Sequence, residues 1–284
     1  MVWQPRPLMT ALSLLVVFPA TISAFVRPLQ DSRSFLSMAR SSVAVSDETT
    51  DRTTAVVWDP SFLAALKKPS KTLSVGLELV ETMKLDDVSL RSMQLRNLGV
   101  NLLATSDTNV AQALVKEQAT AKGSFPEPCP VLFLQLDDES TAVSGTTAAA
   151  ACIRKVRAHD VSLLAEERTI WLVQDKDDVQ KVMDAGQPAA FAVDVSSNNE
   201  NTAELLSHIP ENALCVVALV DSMQADNTEI SIVKELNANA PATKFTTVVL
   251  KHAIAGDAED LEYAKFSVQG LTKKRSSTFN MSGM

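Results

Sequence analysis

From about residue 73 the chain alternates short apolar runs with amphipathic stretches, and this alternation constrains the fold more than any other feature. The runs are Leu73–Leu79, Val100–Ala104, Val131–Leu136, Ile170–Val173, Ala189–Val195, Leu214–Leu219 and Phe245–Leu250. Near-continuous apolar runs this short suit parallel strands buried on both faces. Between them, Asp175 to Gly186 reads as a helix. Asp175 caps it, Val179, Val182 and Met183 mark one face, and Gly186 ends it. Ala203–His208 and Glu229–Asn237 are shorter helical patterns. Strand–helix alternation gives a parallel α/β fold. With Val161–Leu164 as an eighth strand it closes a (β/α)8 barrel. The rival is an open doubly wound sheet, whose nucleotide site needs a Gly-rich first turn. After Leu79 the chain reads Val80-Glu-Thr-Met-Lys-Leu-Asp86 without one, so the spacing favours the barrel. The span from Pro130 to Gln174 is short, and the fourth strand–helix unit is expected to be irregular.

Composition removes several function classes. Only 8 glycines are scattered over 284 residues, and no Walker or Rossmann spacing occurs. A net charge of −8 argues against a nucleic-acid partner. The basic run Lys273-Lys274-Arg275 reads as a solvated end in a loose tail, 273–284. Cys129, Cys152 and Cys215 have neither disulfide nor metal spacing and read as small core residues, with Cys129, between two prolines, as the candidate for exposure. His159, His208 and His252 are isolated, so no metal is expected. His208 falls at the end of a helical stretch, where a positive ring is favoured. Nothing calls for a cofactor, and oligomeric state is not written in the sequence.

The first 55 residues read as an address. Arg6, the apolar run Leu8–Ala20 and Thr21-Ile22-Ser23-Ala24 form a signal peptide over residues 1–24, too short for a comfortable membrane span. A retained anchor is the competing reading. Residues 25–55 carry Arg27, Arg33, Arg40 and several serines, a transit-peptide composition in an unstructured stretch. Ser23-Ala24-Phe25-Val26-Arg27-Pro28 resembles the bipartite presequence of plastid proteins in algae with secondary plastids. That resemblance implies delivery to the plastid stroma, with no membrane segment in the mature form. Plain secretion is the alternative. The barrel domain is then residues 56–272.

One long stretch carries a family resemblance. Gln174-Asp-Lys-Asp-Asp-Val-Gln-Lys-Val-Met-Asp-Ala-Gly186, a strand at Ala189–Val195, and Thr202-Ala-Glu-Leu-Leu-Ser-His-Ile-Pro210 before the next strand follow in order. Leu98-Gly-Val-Asn-Leu-Leu-Ala-Thr-Ser-Asp107 and Cys129-Pro-Val-Leu132 precede them. Together, over about Leu73 to Ile254, this resembles indole-3-glycerol-phosphate synthase. The resemblance implies a barrel that takes a phosphorylated small molecule and closes an anthranilate-derived ribulose phosphate into an indole, releasing carbon dioxide and water. It also implies a Lys general acid and a Glu general base within hydrogen-bond reach and with tuned pKa values.

The family's residues carry over unevenly. Its first-strand Glu-x-Lys has Glu78, but the Lys position is Val80, with Lys84 the nearest substitute. Its third-strand Pro-Val-Leu-Arg-Lys-Asp becomes Pro130-Val-Leu-Phe133-Leu134-Gln135, so Leu134 stands where the acid is expected. A Leu cannot donate a proton. The sixth-strand Asn corresponds loosely to Asp194. The seventh-strand Glu-Ser-Gly falls on Ala218-Leu219-Val220 or, shifted, on Val220-Asp221-Ser222. Lys251-His252 replaces the eighth strand's Gly-Glu. Two expectations follow. One is a lyase with Glu78, Lys84 and Asp194 in catalytic roles and Ser222, Lys251 and His252 holding substrate or its phosphate. The other is an inactive barrel kept for binding or regulation, its strand-end groups Glu78, Gln135, Asp194, Asp221, Ser222, Lys251 and His252 being ordinary polar residues on a solvated rim. Lys84 also reads as an exposed i,i+3 partner of Glu81.

Overall fold

A computed structural model describes residues 58–68, 72–80, 82–136, 149–157, 168–185, 189–195, 199–222, 228–239 and 244–272. The signal, transit and tail segments, Glu81, Gly186, His159 and Val161–Leu164 lie outside them. Eight parallel strands close in sequence order: β1 (Ser74–Leu79), β2 (Leu102–Thr105), β3 (Val131–Gln135), β4 (Ala151–Lys155), β5 (Thr169–Val173), β6 (Ala190–Asp194), β7 (Cys215–Asp221) and β8 (Thr247–Ile254). The helices are α1 (Pro60–Leu66), α2 (Leu85–Asn97), α3 (Thr108–Ala121), α4 (Lys176–Asp184), α5 (Asn199–His208), α6 (Thr228–Asn239) and α7 (Asp260–Thr272). The expected closed barrel is the architecture found, and the doubly wound alternative is set aside. None of the described helices is long and apolar enough to cross a membrane.

The fourth strand is a correction. It is Ala151–Lys155, paired Phe133↔Cys152 on one side and Ile153↔Ile170 on the other, rather than the stretch at Val161–Leu164. The run Ala-Cys-Ile-Arg-Lys ends in two cations, which hides it from a search for apolar runs. In the barrel Arg154 is 8% exposed.

The strands alternate between two cores. Leu102, Leu132, Leu134, Ile153, Ile170, Leu172, Val217, Leu219 and Val249 form one apolar cluster along the barrel axis. Their neighbours in sequence, such as Leu103, Trp171, Val193 and Val248, pack outward with helical residues including Leu95, Leu114, Val179 and Val233. Each fully buried side chain of this size contributes roughly 1.5–3 kcal/mol. At Gly76 the axis has no room left, because a Cβ there would lie 3.1 Å from Val249 Cγ2 and 3.2 Å from Leu102 Cβ.

The N-terminal end of the barrel is plugged by α1. Asp59 caps that helix, accepting from Ser61 N–H at 2.8 Å. Phe62 and Leu66, both fully buried, extend the axial cluster. Thr247 Oγ1 donates to Leu66 C=O at 2.6 Å and ties the plug to β8. Helix α4 follows its sequence signal, with Asp175 accepting from Asp178 N–H at 2.9 Å. Val179 and Val182 are buried as expected, while Met183 is 37% exposed and does not belong to the apolar face. His208 does end α5. All three cysteines are buried. Cys129 is no exception, its thiol donating to Val100 C=O at 3.1 Å.

Candidate ligand site at the barrel mouth

The axial core is apolar up to its last layer, where polar side chains replace it at the C-terminal strand ends. Such ends carry the chemistry in barrels of this architecture. Glu78 of β1 is 2% exposed and accepts two hydrogen bonds. Ser106 Oγ donates to Oε1 at 2.9 Å, and the main-chain N–H of His252 donates to Oε2 at 2.8 Å. Ser106 follows β2 and continues the alternation of Leu102 and Ala104, which puts it on the axis side. That parity is the sequence signal for Ser106, which an apolar-run pattern ending at Ala104 leaves out.

The β8 end is irregular in a way that serves this layer. Leu77 pairs with Leu250, yet Leu79 pairs with Ile254, so Lys251, His252 and Ala253 bulge opposite Glu78. A bulge of this kind re-aims side chains at a barrel rim. His252 takes φ 55°, a left-handed conformation uncommon outside glycine. The bulge is held from both sides, by Glu78 on its N–H and by Ser222, whose Oγ donates to His252 C=O at 3.1 Å. Ser222 N–H also donates to Lys251 C=O at 3.0 Å. The imidazole is left 70% exposed in the mouth, with Nδ1 3.7 Å from Glu78 Oε2.

Lys251 points into the mouth between two carboxylates. Its Nζ lies 3.2 Å from Asp194 Oδ2 and 3.1 Å from Asp221 Oδ1. The Lys side chain is 9% exposed, against 44% for Asp194 and 42% for Asp221. Burial alone pulls the ammonium's pKa down, but the two carboxylates outweigh it and hold it above the ordinary lysine value. The group is therefore a fixed cation.

Most of the residues singled out in the sequence thus converge: Glu78, Asp194, Ser222, Lys251 and His252, joined by Asp221. Of the two alignments of β7, the shifted one places Asp221-Ser222 at the site. Two candidates lie elsewhere. Lys84 is the N-cap residue of α2, exposed and without a side-chain capping bond, and makes none of the bonds that tie the cluster together. Gln135 faces outward on the side of Phe133, where its Oε1 lies 3.8 Å from Cys152 Sγ. Leu134 lies on the axis one layer beyond Leu132 of the same strand and is 2% exposed.

No family model matches the chain, and no curated protein matches its sequence. Solved structures do resemble it. An uncharacterized B. cereus protein superposes with a TM-score of 0.51 at 10% identity, over 68% of this chain and 65% of that one. The 2-keto-3-deoxy-6-phospho-gluconate aldolase of Zymomonas mobilis gives 0.49 at 12% identity, over 75% and 97%. Thiamine phosphate pyrophosphorylase of Pyrococcus furiosus gives 0.48 at 7% identity, over 70% and 95%. At 10% identity the likeness to the B. cereus protein is one of fold alone.

Proposed function

We propose that this chain is a barrel of the indole-3-glycerol-phosphate synthase type that has lost ring closure and serves as a binding or regulatory protein of the plastid, holding a small polar ligand at its mouth. The observation that carries the reading is the contrast between Leu134 and Lys251. An apolar side chain occupies the axis position where the resemblance expects the general acid. Lys251, which reaches the mouth, is paired to two carboxylates, which hold its pKa up. A proton donor works best with a pKa near the operating pH, and an acid held above 10.5 is far from that. Losing a positioned acid alone forfeits roughly 10²- to 10⁴-fold in rate.

The ring-closing lyase is the second reading, favoured by one observation. Glu78 and Asp221-Ser222 stand at the ends of β1 and β7, where the resemblance asks for Glu and Glu-Ser. In that case Glu78 is the base, with Lys84 or Lys251 as the acid.

A fluorescence assay for indole-ring formation from the carboxyphenylamino-ribulose phosphate separates the two. The folded full chain is expected to give no product beyond the background of its Glu78→Gln variant. Product that vanishes in Glu78→Gln would establish the lyase instead. Plastid delivery is tested by fusing residues 1–55 to a fluorescent protein in an alga with secondary plastids. Fluorescence confined to the secretory route would overturn it.

A further inference from the structure

Behind the mouth, α6 and α7 bury a polar pair that packing does not call for. Glu229, in the first turn of α6, is fully buried. Its Oε1 accepts from the phenol of Tyr263 in α7 at 2.5 Å, and Tyr263 is 6% exposed. Glu229 Oε2 has no hydrogen-bond partner, and neither has Ser267 Oγ one turn further along α7. A buried polar atom left unpaired costs stability, whereas apolar groups of the same shape in place of both partners are nearly neutral or better. Stability alone would therefore favour Met and Phe at these two positions.

The phenol oxygen also faces the hydroxyls of Ser267 and Ser222. Burial first, and Glu229 second, hold the Tyr263 pKa above its ordinary value, so the group stays a hydroxyl. Ser222 is held between that oxygen and His252 C=O, to which its Oγ donates at 3.1 Å. On its other side His252 donates its N–H to Glu78 at 2.8 Å. These two bonds brace the backbone at φ 55° and leave the imidazole 70% exposed in the mouth. We infer that Tyr263 is a positioning residue for the mouth: aimed by Glu229, its hydroxyl holds Ser222 against His252 C=O and so fixes the left-handed turn that presents the imidazole to a ligand. The inference rests on reading the mouth as a ligand site and adds how the helix layer keeps that site in shape.

The test follows amide hydrogen exchange by NMR in the full chain, with Tm measured alongside. The double variant Glu229→Met with Tyr263→Phe is expected to keep or raise the Tm. In the same variant the N–H groups of Ser222 and His252 are expected to exchange roughly tenfold faster, while that of Leu103, on β2, is unchanged. Glu229→Gln, which keeps an acceptor for the phenol, is expected to retain the wild-type exchange of both. A purely structural pair predicts the opposite: a lower Tm, with exchange faster throughout the barrel. That outcome overturns the inference, as does exchange at Ser222 and His252 that does not move. Should the double variant fail to fold, Tyr263→Phe decides by the same reading: acceleration confined to Ser222 and His252 sustains the inference, and uniform or absent acceleration overturns it. Exchange is read without ligand, so the indole assay fails separately. Product together with local acceleration would remove the loss of ring closure and leave Tyr263 in its role, and no product with unmoved exchange would do the reverse.

Discussion

Arg96 and Lys251 are both buried cations on one barrel, and their partners are buried to different depths. Arg96 of α2 donates to Glu117 Oε1 at 2.5 Å and to Pro126 C=O at 2.6 Å, with the two side chains 3% and 11% exposed. Ser92 Oγ donates to Glu117 Oε2 at 2.7 Å, and Gln118 joins that cluster to Cys129 N–H at 2.6 Å. Glu117 lies on α3, Pro126 and Cys129 lie in the segment before β3, and the two charges meet where little of either side chain is exposed. Lys251 is as deeply placed, but its two carboxylates stand 44% and 42% exposed at the mouth. The first cluster is closed on itself and holds α2, α3 and the approach to β3 together. The second keeps one face in solvent, which a structural pair has no need to do.

The largest test of that comparison is Arg96→Met. It leaves Glu117 buried without its cation, and the loss of one partner of a buried pair is expected to cost about 3–5 kcal/mol by urea unfolding. A loss under about 1 kcal/mol would make the two clusters equivalent. Lys251→Met is expected to cost only about 1 kcal/mol in the same assay, because Asp194 and Asp221 can hydrate once released. A cost matching that of Arg96→Met would mean that the mouth is built for stability.

His252→Gly is expected to move stability the other way, by about +0.5 kcal/mol. The left-handed backbone costs an L-residue about 1–2 kcal/mol, while Gly gives back roughly 0.5–1 kcal/mol as chain entropy. A clear destabilisation would show that the imidazole itself supports the bulge. The smallest effect is a pH slope. Lys251 is raised in the folded chain, so its contribution is present below the unfolded value of 10.5 and is lost as pH climbs through the folded value. Burial also raises Cys129 to about 11 and Cys215 to about 12 from 9.0. The folded state therefore keeps protons that the unfolded chain releases, and stability falls from pH 9 upward in wild type and Lys251→Met alike. Above pH 10.5 the wild type is expected to fall more steeply than Lys251→Met. Parallel curves there would remove the carboxylate clamp.

What the sequence determined by itself is what short-range periodicity can encode. Apolar runs buried on both faces, with helices between, specify a parallel α/β fold, and their spacing favours the barrel. Asp175 caps α4 through a bond only three residues long. Polar residues that end apolar runs, such as Glu78 and Lys251, announce a rim. Tertiary structure decided everything that depends on which strands meet. A strand closing in two cations became β4 because its neighbours on both sides supply its partners. Gln135 turned outward and Ser106 inward through the parity of the sheet, and Met183 fell outside the face that α4 buries. The mouth depends on contacts 57 and 174 residues apart, Lys251 with Asp194 and His252 with Glu78. No local pattern carries that information, because a charge is free, clamped or strained only once the closed barrel has chosen its neighbours.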